Sequence, residues 1–179
     1  SSHTVSATFG NLHQAAESGF IRALIGILNR NPRHFHLFAR LSASDFRSMR
    51  GVLHAEGVLP RVRFLGPMTD AGHLLAAVDV YLAPFPECEA ESVMDALGAG
   101  VPVVVRRAAS DSPGSAAAEV AGIADLIAPG DADYGVIADR LIRNPELRAR
   151  LSDQAVDRFH AEFHPGRPAE RLIQFLRTL

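Results

Sequence analysis

Residues 84–105 read Pro84-Phe85-Pro86-Glu87-Cys88-Glu89-Ala90-Glu91-Ser92-Val93-Met94-Asp95-Ala96-Leu97-Gly98-Ala99-Gly100-Val101-Pro102-Val103-Val104-Val105. The run before them, 78–83, is apolar at nearly every position except Asp79. Continuous apolarity marks a strand buried on both faces, as in a parallel sheet. A Pro- and Glu-rich loop follows, then a helix over 92–99, a Gly-x-Pro turn at Gly100-Val101-Pro102 and a second buried strand over 101–105. Strand, loop, helix and strand make one βαβ unit. Its loop opens at the carboxyl edge of the sheet. A helix starting at Ser92, with Ser92 as cap, aims its free N–H groups and positive dipole end at that edge, where a phosphate fits. Asp95, about one turn further on, is placed to accept hydrogen bonds from ribose hydroxyls.

The same alternation runs outward in both directions. Strands are expected over 4–9, 34–40, 61–65 and 123–128 in addition to the two above. Helices are expected over 17–29, 44–56, 70–77, 116–120, 131–142, 145–160 and 168–179, with Pro165-Gly166 separating the last two. Ser42 or Ser44 suits a helix cap, as does Thr69 or Asp70, and Gly57 suits a terminator. Strands alternating with helices imply right-handed crossovers and a doubly wound α/β sheet, Rossmann-like. Ligands of such sheets lie outside the strands' carboxyl ends, so function belongs in the loops after Phe9, Arg40, Leu65, Ala83 and Val105.

Composition narrows the classes. The 179 residues suffice for one domain with a core, taken here as a single unit over 1–179. Ser1-Ser2-His3 reads as a cut site, so a piece of a longer protein is expected. The net charge of −2 supplies no field for nucleic acid. No apolar run reaches the roughly 20 residues that span a bilayer. One cysteine, Cys88, excludes an internal disulfide; with no leader visible, a cytoplasmic protein is expected. Cys88 has no paired histidine signature and is not read as a nucleophile. The histidines lack metal-binding spacing, so no metal is expected. No glycine-rich dinucleotide fingerprint or P-loop follows the first strand. All 18 basic residues are arginines, so no lysine is available as phosphate ligand or base.

The acidic pair Glu87…Asp95, seven residues between, followed by Ala96-Leu97-Gly98-Ala99-Gly100-Val101-Pro102-Val103-Val104, resembles the donor-site motif of GT-B glycosyltransferases. In the large retaining families both acidic positions are usually Glu; the first meets the donor sugar and the second the ribose. In protein O-GlcNAc transferase and the bacterial adhesin N-glucosyltransferases the second is Asp, as at Asp95. His34-Phe35-His36-Leu37-Phe38-Ala39 is similar to the second strand of the adhesin enzymes, and Asp79-Val80-Tyr81-Leu82-Ala83-Pro84-Phe85-Pro86 resembles the approach to their donor site. Leu126-Ile127-Ala128-Pro129-Gly130-Asp131 and Asn144-Pro145-Glu146-Leu147 resemble the tail of many GT-B C-terminal domains.

The resemblance implies one half of a GT-B fold that binds a UDP-hexose without metal. Sugar would pass to a protein or glycan acceptor held by an N-terminal domain outside this chain. It implies Asp95 at the ribose, Glu87 at the sugar and Ser92 at the phosphate. His13 and Gln14 fall in the loop after the first strand, which resembles the O-GlcNAc transferase loop at Gly10, Asn11 and Gln14. The lysine of that loop falls here on Ala15 or Glu17, and Arg106 and Arg107 stand as cationic substitutes, since an arginine fork holds phosphate oxygens bidentately. Glu87, Glu89 and Glu91 stand where the inverting families carry small residues, and each would repel a diphosphate by about 1 kcal/mol at surface dielectric. Two alternatives follow: a non-catalytic GT-B domain acting as partner or scaffold, and a retaining transferase of the Glu-x7-Glu type.

Overall fold

The computed structural model describes residues 3–9, 19–40, 42–66, 71–109, 112 and 115–163. His13, Gln14, the expected caps Thr69 and Asp70 and the expected helix over 168–179 lie outside the described residues. The strands are β1 (Thr4–Phe9), β2 (His34–Ala39), β3 (Val62–Phe64), β4 (Val80–Leu82), β5 (Val103–Arg106) and β6 (Ile127–Ala128). The helices are α1 (Gly19–Arg30), α2 (Ala43–Ala55), α3 (Ala71–Leu75), α4 (Ala90–Gly98), α5 (Ser115–Ala121), α6 (Asp131–Arg143) and α7 (Pro145–Glu162). All strand pairs are parallel, in the order β3-β2-β1-β4-β5-β6. The order reverses between β1 and β4, and that switch point opens the ligand crevice of doubly wound sheets.

Two apolar layers cover the sheet. On one face, α1, α2 and α6 pack Phe20, Leu24, Met49, Leu53, Tyr134 and Leu141 against Phe38, Val80, Leu82 and Val104. On the other, Leu74, Leu75, Val93, Ala96, Leu97 and Ala117 of α3, α4 and α5 pack against Ala7, Phe9, Tyr81 and Val103. Each fully buried Leu or Phe contributes about 1.5–3 kcal/mol. Helix α7 serves both layers, with Leu151 in the first and Ala155 in the second.

Arginine does the capping that lysine-free helices need. The last carbonyls of a helix lack internal partners. Arg61 and Arg143 donate to the end of α1, at Leu28 O and Arg30 O. Arg158 donates to Glu119 O and Val120 O of α5, at 2.7 and 2.8 Å. Arg148 donates to Leu141 O and Ile142 O of α6, at 2.7 and 3.0 Å. Gly100, at φ +70°, turns the chain from α4 to β5, and Ser152 of α7 donates to its carbonyl at 2.5 Å. A Cβ there would also crowd Val156 and Ser152.

Two elements depart from expectation. Helix α4 begins at Ala90, two residues before the expected Ser92, and its N-cap is Glu89. Ala90 and Glu91 are good helix formers, so the helix extends back into the loop. The expected strand over 123–128 shrinks to β6, because 124–126 wind into a 3₁₀ turn. Helix α2 is capped by Ser42, one of the two caps expected, whose hydroxyl accepts from the Asp45 N–H at 3.1 Å.

Candidate active site

Buried hydroxyls tie down the strand ends that flank the switch point. Thr8 Oγ1 donates to Leu82 O at 2.6 Å and Tyr81 Oη donates to Phe9 O at 3.0 Å. Tyr134 Oη, from α6, donates to Ala83 O at 2.9 Å. The chain then turns through Phe85, whose peptide to Pro86 is cis. The Phe85 ring meets Phe20 and Tyr134 edge-on, with centroids 5.7 and 5.0 Å apart. The loop that leads into α4 thus leaves from a rigid anchor.

Beyond the anchor the loop is acidic and open: Glu87, Glu89 and Glu91 are exposed. Burial and the nearby Glu89 push the Cys88 thiol up to about 12. It stays protonated at neutral pH and is no nucleophile. Ser92 is 2% exposed, its N–H donates to Glu89 O at 3.1 Å, and its side chain lies against the Tyr81 hydroxyl. It is therefore not the helix cap, and its hydroxyl is turned into the core. The N-terminal end of α4 at the sheet edge belongs to Ala90 and Glu91.

The other expected residues divide between the two faces of the sheet edge. On the α3–α4 side, Asp95 is exposed at the rim of a cavity of about 520 Å³. Arg40, Ala71, Gly72, Leu75, Gly98, Ala99 and Phe159 complete the lining. That volume is in the range of small-molecule sites. Partial burial raises the affinity of Asp95 for its proton, Arg40 opposes that, and Glu91 adds to it. On the α1–α6 side, Arg106 is bound by Asp131 at 2.5 Å, and its guanidinium lies 5.4 Å from the centre of the Phe85 ring. Gly19 packs so close to this group that a Cβ there would fall 2.6 Å from the Asp131 carboxylate. Arg107 is exposed, and its N–H joins the sheet at Ala128 O. A second cavity, about 490 Å³, lies at the far end of α6 among Val136, Arg140, Arg143 and Leu147, away from the carboxyl edge.

A doubly wound sheet of order 3-2-1-4-5-6 with an acidic helix at its switch point suits many nucleotide enzymes. Sequence comparison separates them: residues 4–143 match the family model described as Glycosyl transferases group 1. The chain belongs to the group 1 glycosyltransferases. Its fold is that of one half of a GT-B enzyme. It is similar to a variant of the O-GlcNAc transferase of Thermobaculum terrenum, with 26% identity and a TM-score of 0.76, over 89% of this chain and 32% of that one. HepE of Anabaena, solved in complex with UDP and glucose, gives 19% identity and a TM-score of 0.77, over 99% of this chain and 49% of that one. The catalytic domain of the Helicobacter pylori cholesterol-α-glucosyltransferase gives 18% identity and 0.70, over 89% and 99%. The last two likenesses are of fold alone. Comparison with curated proteins finds no match. The chain thus spans a third to a half of the first two enzymes.

Among the described residues, no three His, Cys, Asp or Glu side chains are grouped so as to hold a metal ion. No described helix is long and apolar enough to cross a membrane. Two features of this glycosyltransferase half were not read from its sequence. Arg40 shares a cavity with Asp95 although 55 positions separate them, and Phe159 closes that cavity from α7. No local pattern announces either contact.

Proposed function

We propose that this chain binds a UDP-hexose at the carboxyl edge of its sheet, as the donor half of a glycosyltransferase acting on a protein or glycan acceptor. The observation that carries the reading is Asp95 at the rim of the cavity beside α4, on a group 1 glycosyltransferase fold. UDP in the similarly folded HepE supports the choice of nucleotide. The ribose hydroxyls donate to Asp95, and the diphosphate crosses the sheet edge toward the start of α4. As the sugar departs through an oxocarbenium-like state, charge builds on UDP. The α4 dipole and Arg106 or Arg107 offset that charge. Arg106 first exchanges the Asp131 carboxylate for a phosphate oxygen. Glu87, exposed on the loop, faces the hexose, and no metal takes part.

Calorimetric titration with UDP tests this reading. Binding at millimolar or tighter affinity supports it, and no heat at that concentration ends it. Asp95→Ala is expected to weaken UDP about tenfold, the loss of one good hydrogen bond to a charged acceptor. Arg106→Ala and Arg107→Ala are expected to weaken UDP more than uridine. Unchanged UDP affinity in both removes the arginines from the site.

A specific observation favours a second reading, a non-catalytic domain that binds a partner. Three exposed carboxylates surround the start of α4, and Arg106 is already neutralised by Asp131. That reading predicts a silent UDP titration. A retaining outcome would appear in the anomer of the product formed by the whole enzyme.

A further inference from the structure

We propose that Arg40 is the positioning residue for Asp95: from the carboxyl end of β2 it shares the wall of the cavity between α3 and α4 with the Asp95 carboxylate and directs that carboxylate toward a nucleoside bound there. The proposal rests on the donor reading above and adds a residue to it.

Three observations meet at this position. First, Arg40 and Asp95 are the two charged residues among the described residues that line the cavity. The rest of the lining is apolar or glycine, with Leu75 from α3, Gly98 from α4 and Phe159 from α7. A cation and a carboxylate on such a wall are the groups that orient whatever enters. Second, Arg40 adopts φ +60°, and it is the one non-glycine residue with positive φ among the described residues. That conformation belongs to glycine, or to asparagine with its short polar side chain. An arginine held there keeps a strained backbone where glycine would have none, and strain retained at the mouth of a crevice points to use of the side chain. Third, Asp95 needs a counter-charge. Glu91 stands one turn before it on the same helix, and like charges at that spacing repel. Burial and Glu91 both favour the protonated acid, and Arg40 is the influence that opposes them. From α3 and α7 the lining residues are Ala71, Gly72, Leu75 and Phe159, none of which titrates. His73 of α3 is exposed and does not line the cavity. A protonated Asp95 would lose its charge as an acceptor for the ribose hydroxyls.

Arg40→Gly separates this role from a structural one, because glycine adopts the same backbone without strain. Its melting temperature is expected to match or exceed that of the unaltered chain. Its affinity for UDP is expected to fall about tenfold, and for UMP by the same factor, since the effect lies at the nucleoside. Arg40→Gln keeps a polar side chain and the strained backbone, loses the charge, and is expected to show the same loss. In both variants the affinity begins to fall at a higher pH than in the unaltered chain, because Asp95 takes up its proton earlier. Arg40→Lys restores the original pH profile. Unchanged affinity in Arg40→Gly and Arg40→Gln overturns the proposal and leaves the donor reading intact. A loss for UDP without one for UMP also overturns it, because Arg40 would then serve the phosphates. So does a pH profile parallel to that of the unaltered chain. If the unaltered chain itself binds neither nucleotide, the donor reading fails and this proposal with it.

Discussion

Phe85→Ala is expected to destabilise the chain by about 3–5 kcal/mol, the usual range for removing a fully packed phenylalanine. Phe85 is 5% exposed and joins three elements. Its ring meets Phe20 of α1 at 5.7 Å, Tyr134 of α6 at 5.0 Å and the guanidinium of Arg106 from β5 at 5.4 Å. Edge-on aromatic pairs add about 0.5–1.5 kcal/mol to the area they bury. The side chains around the gap cannot collapse freely, because Tyr134 is fixed by its bond to Ala83 O and the Gly19 backbone runs so close that a Cβ there would fall 3.0 Å from the ring. Urea unfolding of Phe85→Ala and Tyr134→Phe measures the difference. Tyr134→Phe keeps the ring and leaves the Ala83 carbonyl without that donor, a loss of about 1–3 kcal/mol. A Phe85→Ala loss below about 1 kcal/mol would show that the loop, and not the ring, holds this corner. The same variant should also weaken UDP, since the loop that carries Glu87 and leads into α4 starts at this anchor.

How much of this was legible in the sequence follows from the range of each interaction. β1 was read to the residue, because Thr4–Phe9 is a short apolar-patterned run followed in the sequence by Gly10. The doubly wound class followed from alternation alone, since crossover handedness leaves few topologies, while the strand order was not read. Asp95 was legible because its spacing from the Gly-x-Pro turn fixes its place on α4. Ser92 was misread for the opposite reason. Serine is the better cap, but Tyr81, eleven positions earlier on β4, draws its side chain inward and the helix starts at Ala90. The Arg106–Asp131 pair and the Arg40–Asp95 cavity join residues from separate crossovers. Such contacts depend on how helices are set against the sheet, which a single sequence does not display. His34 and His36 lie between these cases: their place on a strand was clear, but the depth of their burial was not.

Acid should therefore destabilise this chain well above the range in which carboxylates titrate. Thr4, Ser6, His34 and His36 form a polar ladder inside the α1–α6 layer, and His34, His36 and Ser6 are each 0% exposed. Thr4 Oγ1 lies 3.0 Å from His34 Nδ1, and Ser6 Oγ lies 2.8 Å from both His34 Nε2 and His36 Nδ1. Ser6 has one proton to donate, so it donates to one ring and accepts from the other. Either tautomer leaves His36 Nε2 buried without a partner. Burial, helped by the positive charge of Arg61, lowers the His34 pKa to about 4. Burial and the neighbouring His34 hold His36 well below its ordinary value. Unfolded, both rings take up protons near 6.5. As the pH falls through that value, the unfolded chain binds protons that the folded chain refuses, so stability falls with pH. The loss from His34 develops between about pH 6.5 and 4 and amounts to about 2 kcal/mol between pH 7 and 5. His36 adds to it in the same direction. Urea midpoints measured from pH 7.5 to 5 check this, with His36→Leu as comparison. The leucine variant removes the unpartnered nitrogen along with the titrating ring, so its midpoint should fall less steeply. Equal slopes in the two proteins, or a flat profile in the unaltered chain, would mean that these histidines take up protons without unfolding.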